Sequence, residues 1–385
     1  MSRLTPQCCG TGAIICSALL TIAHSSVFAQ DTAPSNKDEN PPVSWMLFVD
    51  AHYGANTSPS DLLYADTAAH RAYTYRDGFT LAFLGLDASY DEGLFGATAS
   101  LRYGTGSNIF FGFAPENNAG LVGLVSQAYA TWRPVERLSL DMGQFDTIYG
   151  AEVNENWRNL NYTRGALFII QPFWHTGLRA AYQVTDAVSL NGLVINGTNT
   201  QLQEGNRPSL GLQLKLDVGV SIALGYLTSL EPSQDTSGAH NFFDLVITGE
   251  FGDLSLVANA NYNRTDGALT ADNQDATYLL GSLAVRYAFT EAFATAVRGE
   301  YVLDADNNIY GAVVDTTGLP EDEVSVITGT LTLEYKPIAG NNTILLRLDN
   351  RIDSASATIF LNEDSEPTDL WFTTVLGLVV NTSGD

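Results

Sequence analysis

The chain has 385 residues, 45% of them hydrophobic and only 16% charged, with 18 Lys+Arg against 43 Asp+Glu and a formal net charge of −25. That acidity argues against nucleic acid as a partner. All three cysteines, Cys8, Cys9 and Cys16, lie in the first few residues, so disulfides cannot hold the rest of the chain together.

Arg3 precedes an apolar stretch from Ala13 to Ala23 and then Val27-Phe28-Ala29, a small-residue cleavage pattern. Residues 1–29 therefore read as a signal peptide, too short to span a bilayer as a helix. A Pro-rich and charged N-terminal segment, residues 30–42, reads as flexible. No linker interrupts residues 43–385, so one architecture has to explain them all.

From Val43 onward the chain alternates. Trp45, Leu47, Val49, Ala51 and Tyr53 oppose Met46, Phe48, Asp50 and His52. Residues 79–90 and 94–104 repeat the pattern across Asp91-Glu92-Gly93. The clearest case is Leu210, Leu212, Leu214, Leu216 and Val218, interleaved with Ser209, Gly211, Gln213, Lys215 and Asp217. Period two is the signature of a strand with two unlike faces, because a helix would scatter both sets around its axis.

Further short turns fall at Arg133 to Glu136, Thr185-Asp186, Gly252-Asp253, Thr290-Glu291 and Pro337 to Asn342, and the last strand covers 369–380, giving about sixteen strands. Between the hairpins lie eight long connections: 56–78, 105–120, 146–173, 197–207, 229–240, 264–275, 304–322 and 353–368. Short and long joints exchange strictly, so all the long loops leave one end of an up-and-down antiparallel meander, the plan of a transmembrane β-barrel with short periplasmic turns.

Charge placement separates this plan from a soluble secreted β-protein. Mid-strand Asp50, Asp87, Arg102, Arg137, Asp141, Arg179, Lys215, Asp244, Glu250, Arg286, Arg298, Glu300, Glu334, Arg347, Asp349 and Arg351 all share the polar parity. Lipid penalises a midplane Arg or Lys by roughly 2–4 kcal/mol, which explains an uncharged opposite face. That face carries tyrosines and Trp132 near strand ends, where an interfacial girdle belongs. The polar parity is rich in small residues, so sixteen strands should enclose water rather than a packed core, unless loops plug the lumen.

The longest loop, 146–173, contains Asp146, Glu152, Glu155, Trp157, Arg158 and Arg164. Folded into the lumen, it would set Asp146, Glu152 and Glu155 against inward Arg179, Arg298 and Arg347 as a constriction. Arg102, Arg137, Asp141, Lys215, Arg286, Glu300, Asp349 and Arg351 would line the remaining wall. The alternative is a loop that caps the outer mouth or packs on a neighbouring subunit.

Gly143 to Glu152, Asn161-Tyr162-Thr163-Arg164, Pro172 to Gly177 and Val194 to Gly197 resemble the middle of the β-barrel porin-2 family of Gram-negative outer-membrane proteins. The resemblance implies an outer-membrane porin and brings no catalytic residue with it. The final strand departs from the habit of such barrels, ending on Asn381-Thr382-Ser383-Gly384-Asp385 rather than on an aromatic.

The histidines His52, His70, His175 and His240 form no triad with a nucleophile, there is no phosphate loop, and Asp304-Ala305-Asp306-Asn307-Asn308 lacks the Gly and distant Glu of a calcium loop. The expectation is a porin and not an enzyme, without cofactor or metal, passing small hydrophilic solutes or ions. Its partners would be outer-membrane lipid and lipopolysaccharide, and by analogy it would form a homotrimer. A structural or adhesive barrel with acidic binding loops is the competing reading.

Overall fold

The computed structural model describes residues 42–57, 71–75, 77–111, 124–166, 168, 171–203, 207–229, 240–269, 274–306, 310, 323–340, 342–362, 364 and 366–384. The signal-peptide reading of 1–29, most of the 30–42 segment, His70, and Asn307 and Asn308 of the run compared with a calcium loop lie outside them.

Sixteen strands close into one barrel. In chain order they are β1 (Val43–Asn56), β2 (Gly78–Asp91), β3 (Phe95–Tyr103), β4 (Val125–Val135), β5 (Leu138–Asp146), β6 (Trp174–Thr185), β7 (Val188–Ile195) and β8 (Ser209–Asp217). There follow β9 (Ser221–Ser229), β10 (His240–Phe251), β11 (Leu254–Leu269), β12 (Gln274–Ala288), β13 (Phe293–Asp304), β14 (Val324–Ile338) and β15 (Asn342–Ala355). A two-residue hairpin, β16 (Phe360–Leu361) with β17 (Pro367–Thr368), precedes the last barrel strand, β18 (Leu370–Gly384). Each barrel strand pairs antiparallel with its neighbours, and β1 closes on β18 with Val49 opposite Val380 and Tyr53 opposite Leu376. Closure leaves no free edge, which is what permits strands to cross hydrocarbon.

Turn chemistry agrees with the short joints. Phe251 pairs with Leu254, so Gly252-Asp253 is a two-residue turn, and Gly252 takes φ +65, open to glycine at little cost.

The outer face is the uncharged parity. Leu212, Leu224, Leu283, Val297 and Leu333 are exposed on it. Aromatics gather at both rims: Phe293 stacks on Tyr335 at 4.6 Å near the short turns, while Tyr53 with Phe79 and Tyr226 with Phe243 meet at 4.9 and 4.7 Å near the long loops. An arginine in place of Leu283, half exposed on that belt, should cost roughly 2–4 kcal/mol when the barrel is unfolded by urea from lipid vesicles, whereas Ser282→Arg on the inner face should cost far less.

Three expectations need correction. The connection expected at 264–275 is mostly strand: β11 runs to Leu269 and β12 starts at Gln274, so only 270–273 join them. The polar run Asn263-Arg264-Thr265 is a continuing ladder beyond the apolar belt, where water tolerates Arg264 on the outer parity beside Asp266 and Asp275. Arg137 is no wall residue, since it sits exposed in the turn between β4 and β5, 3.7 Å from the fully exposed Asp186.

The third correction concerns the lumen. Its loop-side half is packed, not simply filled with water. Phe48, Tyr73, Phe83, Phe110, Phe168 and Trp174 form one buried cluster, Tyr129, Phe145, Tyr149 and Phe242 a second, and Tyr278, Val326, Phe360 and Trp371 belong to a third. These inward apolar side chains are covered because helix α1 (Thr105–Phe111) and described parts of the long connections, such as 71–75, 147–166 and 359–361, fold inside, where burial releases their hydration water.

Candidate functional site

The connection between β5 and β6, residues 147–173, crosses the lumen. On one side the amide of Gly150 donates to Asp244 Oδ2 at 2.8 Å, and Gln171 Nε2 reaches Asn259 and Asn261 on β11 at 2.7 and 2.8 Å. On the other, Tyr162 Oη donates to Asp50 Oδ1 at 2.5 Å, Asn156 Nδ2 to Asp50 Oδ2 at 2.9 Å, and Thr163 N to Asp349 Oδ2 at 2.7 Å. β10 and β1 lie seven places apart around the sixteen-strand ring, so the loop bridges nearly opposite walls.

Its seat on the β1 side is shaped by absence of a side chain. A Cβ on Gly377 of β18 would fall 2.2 Å from the Tyr162 ring. With glycine there, Tyr162 lies fully buried and points its hydroxyl at Asp50, itself inaccessible to solvent. Tyr73 of the first long connection donates to Asn156 Oδ1 at 2.5 Å and joins a second connection to the same knot.

The ionic contacts are specific. Arg298 binds Glu152 at 2.5 Å and Glu300 at 2.9 Å, and donates to the Thr163 carbonyl at 2.7 Å. Glu155 meets Arg102 at 2.7 Å, and Arg102 also holds Asp87 at 2.8 Å. Burial by itself disfavours the Glu155 carboxylate, but Arg102 and then Arg158 outweigh that cost and hold the group below the ordinary glutamate range.

Two of the three acidic loop residues singled out from the sequence thus touch wall arginines, one of them Arg298. Asp146 ends β5, half-buried, in the electrostatic reach of Glu155, Arg158 and Arg102. Arg179 does not face the loop acids: it pairs at 2.8 Å with Asp141 on the adjacent strand, beside Thr131. Arg347 takes Glu334 at 2.7 Å and turns its other nitrogen to the carbonyls of Asn156 and Asn159. Arg286 shares Glu334 at 2.6 Å, Arg351 binds Asp353 at 2.9 Å and the Arg164 carbonyl at 2.5 Å, and Lys215 stands half-buried on β8.

Sequence reasoning chose wall residues mainly by positive charge; it included Asp349, which accepts from Thr163, but passed over three other acidic residues that hold the loop. Asp50, Asp87 and Asp244 showed the same inward parity as the chosen arginines, which was the available signal. Arg71 of the first connection, clasped by Asp353 and lying 4.1 Å over Trp371, had none, because nothing local ties it to the wall. His175 bridges Thr147 Oγ1 and the Gly197 carbonyl, a structural role. Asp304 is buried and accepts from Tyr310 N at 3.1 Å. No cluster of three metal-ligating side chains occurs among the described residues.

Beneath the loop, toward the short turns, lies a cavity of about 390 Å³, roofed by Ala151, Glu152 and Arg158 to Asn161 and walled by β9 to β13.

A closed antiparallel sixteen-strand barrel with an apolar, aromatic-rimmed exterior and charged side chains inside is an outer-membrane barrel of porin type. Residues 42–381 match the profile of the family described as "Putative beta-barrel porin-2, OmpL-like", and the chain belongs to that family. No curated protein sequence matches the chain. Among solved structures it is similar to the in-vitro folded OmpT of Vibrio cholerae, an outer membrane protein, at 11% identity and TM-score 0.57, over 90% of this chain and 100% of that one. A trimer form of the same protein aligns at 12% identity and TM-score 0.54, covering 89% and 99%. The anion-selective porin from Comamonas acidovorans aligns at 10% identity and TM-score 0.55, again over 89% and 99%.

Proposed function

We propose that the chain is a porin through which small hydrophilic solutes or ions diffuse passively, with the 147–173 loop narrowing the way. The observation that carries this reading is the meeting of loop acids and wall arginines at the crossing, Glu152 on Arg298 and Glu155 on Arg102. These direct ion pairs pin the loop to the wall inside the lumen, so a solute has to pass beside it, and the part-exposed Glu152 adds charge to the narrowed path. Residues 1–29 serve as the export signal in this reading, and assembly is trimeric, as in one form of its structural neighbour OmpT. No residue is assigned a catalytic role.

The test is planar-bilayer recording of the purified barrel, with discrete conductance steps expected. In the Glu152→Gln, Glu155→Gln double variant, Arg298 and Arg102 lose negative partners, so the local potential becomes more positive and selectivity should move toward anions. Unchanged conductance and selectivity would remove the loop's constricting role. The packed loop-side half of the lumen favours one competing reading, a structural barrel with a blocked interior. Absence of any conductance step would decide for it.

A further inference from the structure

The cavity below the loop has a composition that a purely aqueous passage does not require. Three aliphatic side chains, Leu160, Val220 and Val257, line it together with the carboxamides of Asn161, Gln171 and Asn259. Its charges are arranged by height. Arg158 and the Arg298–Glu152 pair stand at the roof, while Glu250 and Asp217 are exposed at the mouth by the short turns.

The roof charges are not equally committed. Arg298 is only 2% exposed and spends its donors on Glu152, Glu300, Thr163 and Thr330. Arg158 has a looser hold: besides its longer-range pull on Glu155, its contact to Asp87 is 3.5 Å, the Trp157 ring lies 5.0 Å away, its side chain is 24% exposed, and its Nε is buried without a hydrogen-bond partner. Among the described groups of the roof it is therefore the cation best placed to take a carboxylate from a solute, as a charge-assisted hydrogen bond. At the mouth, Glu250 accepts from Ser255 at 2.7 Å and keeps its exposure, while the neighbouring Arg286 is engaged by Glu334.

We propose that this cavity is a binding site for a small zwitterion whose two charges stand at opposite ends of an aliphatic chain, of the ω-amino-acid class. The carboxylate sits at Arg158, the ammonium faces Glu250, and the hydrocarbon lies on Leu160, Val220 and Val257. The volume falls within the range of small-molecule pockets, roughly 300–1,000 Å³. A simple anion would face Glu250, Asp217 and Glu152 without compensation, and a simple cation would face Arg158. A sugar ring would find no aromatic side chain to stack on among the described residues that line the cavity. The site deepens the porin reading and rests on it for its physiological meaning, but binding can be measured without conduction.

The experiment is calorimetric titration of the detergent-folded full-length barrel with 6-aminohexanoate, hexanoate and pentylamine, three solutes sharing one linear five-carbon body. 6-Aminohexanoate should bind about tenfold more tightly than either singly charged analogue. Arg158→Gln should abolish the preference of the zwitterion over the amine, and Glu250→Gln, at an exposed site where folding is not at stake, the preference over the acid. Equal affinity for all three solutes, no binding of 6-aminohexanoate, or a preference that survives both substitutions overturns the site. Conductance of the same preparation is recorded in parallel: current without binding of 6-aminohexanoate sinks this site and leaves the porin standing, while binding without current does the reverse.

Discussion

Arg298→Met should lower the unfolding free energy of the barrel by about 3–5 kcal/mol, the cost of stripping a buried cation from its partners. Arg298 is buried, and its guanidinium is shared by Glu300 on its own strand and Glu152 on the loop, with the Thr163 carbonyl as a third acceptor. Methionine fills much of the same volume, so the loss comes from two carboxylates left without a counter-charge rather than from a void. Adding Glu152→Gln and Glu300→Gln to the same chain should recover most of the stability, since the penalty belongs to the unpaired charges. Urea titration in lipid vesicles, followed by tryptophan fluorescence, measures both. A single variant within about 1 kcal/mol of the parent would mean that water already reaches the Glu300 carboxylate.

Asp50→Ala should loosen the loop itself. The substitution orphans the Tyr162 hydroxyl and the Asn156 amide, each buried, at about 1–3 kcal/mol apiece. Residues 152–165 should then become open to added protease, and in bilayer recordings the conductance should rise and fluctuate. Asp50→Asn keeps an acceptor oxygen for Tyr162 and should restore most of the resistance to cleavage, separating the hydrogen bond from the charge. Cleavage no faster in Asp50→Ala than in the parent would show that Thr163 on Asp349 and the carbonyl bonds from Arg347 suffice to seat the loop.

The strands were legible because lipid enforces a rule on every second residue, and the rule is local. Leu210 to Val218 shows it without any knowledge of the partner strand. The lumen obeys no such rule. Phe48, Phe83, Phe242 and Trp371 stand on the inward parity near the long connections, where water was expected, and only the incoming loops explain them. Their size on the polar face was the signal available for a packed interior. Pairing inside the barrel is still less local: Glu152 and Arg298 are 146 residues apart, and no spacing distinguishes that match from Glu152 with Arg347. Arg137 was misplaced for a smaller reason. The register of β4 on β5 shifts between Trp132 and Val135, and a one-residue slip at a turn is enough to move an apparent wall residue out to solvent.

The loop lies against the seam of the barrel. Tyr162 packs on Gly377 of β18 and bonds to Asp50 of β1, the two strands whose union closes the cylinder. Those strands stand at opposite ends of the chain, so their meeting carries the largest sequence separation in the fold and belongs among its slow steps. A side chain held between them from the inside acts as a clasp: it rewards closure in one register, with glycine under the ring, and penalises a slipped one. Assembly of the wall and seating of the loop are for that reason one event in energy, although the chain makes the two edges more than three hundred residues apart.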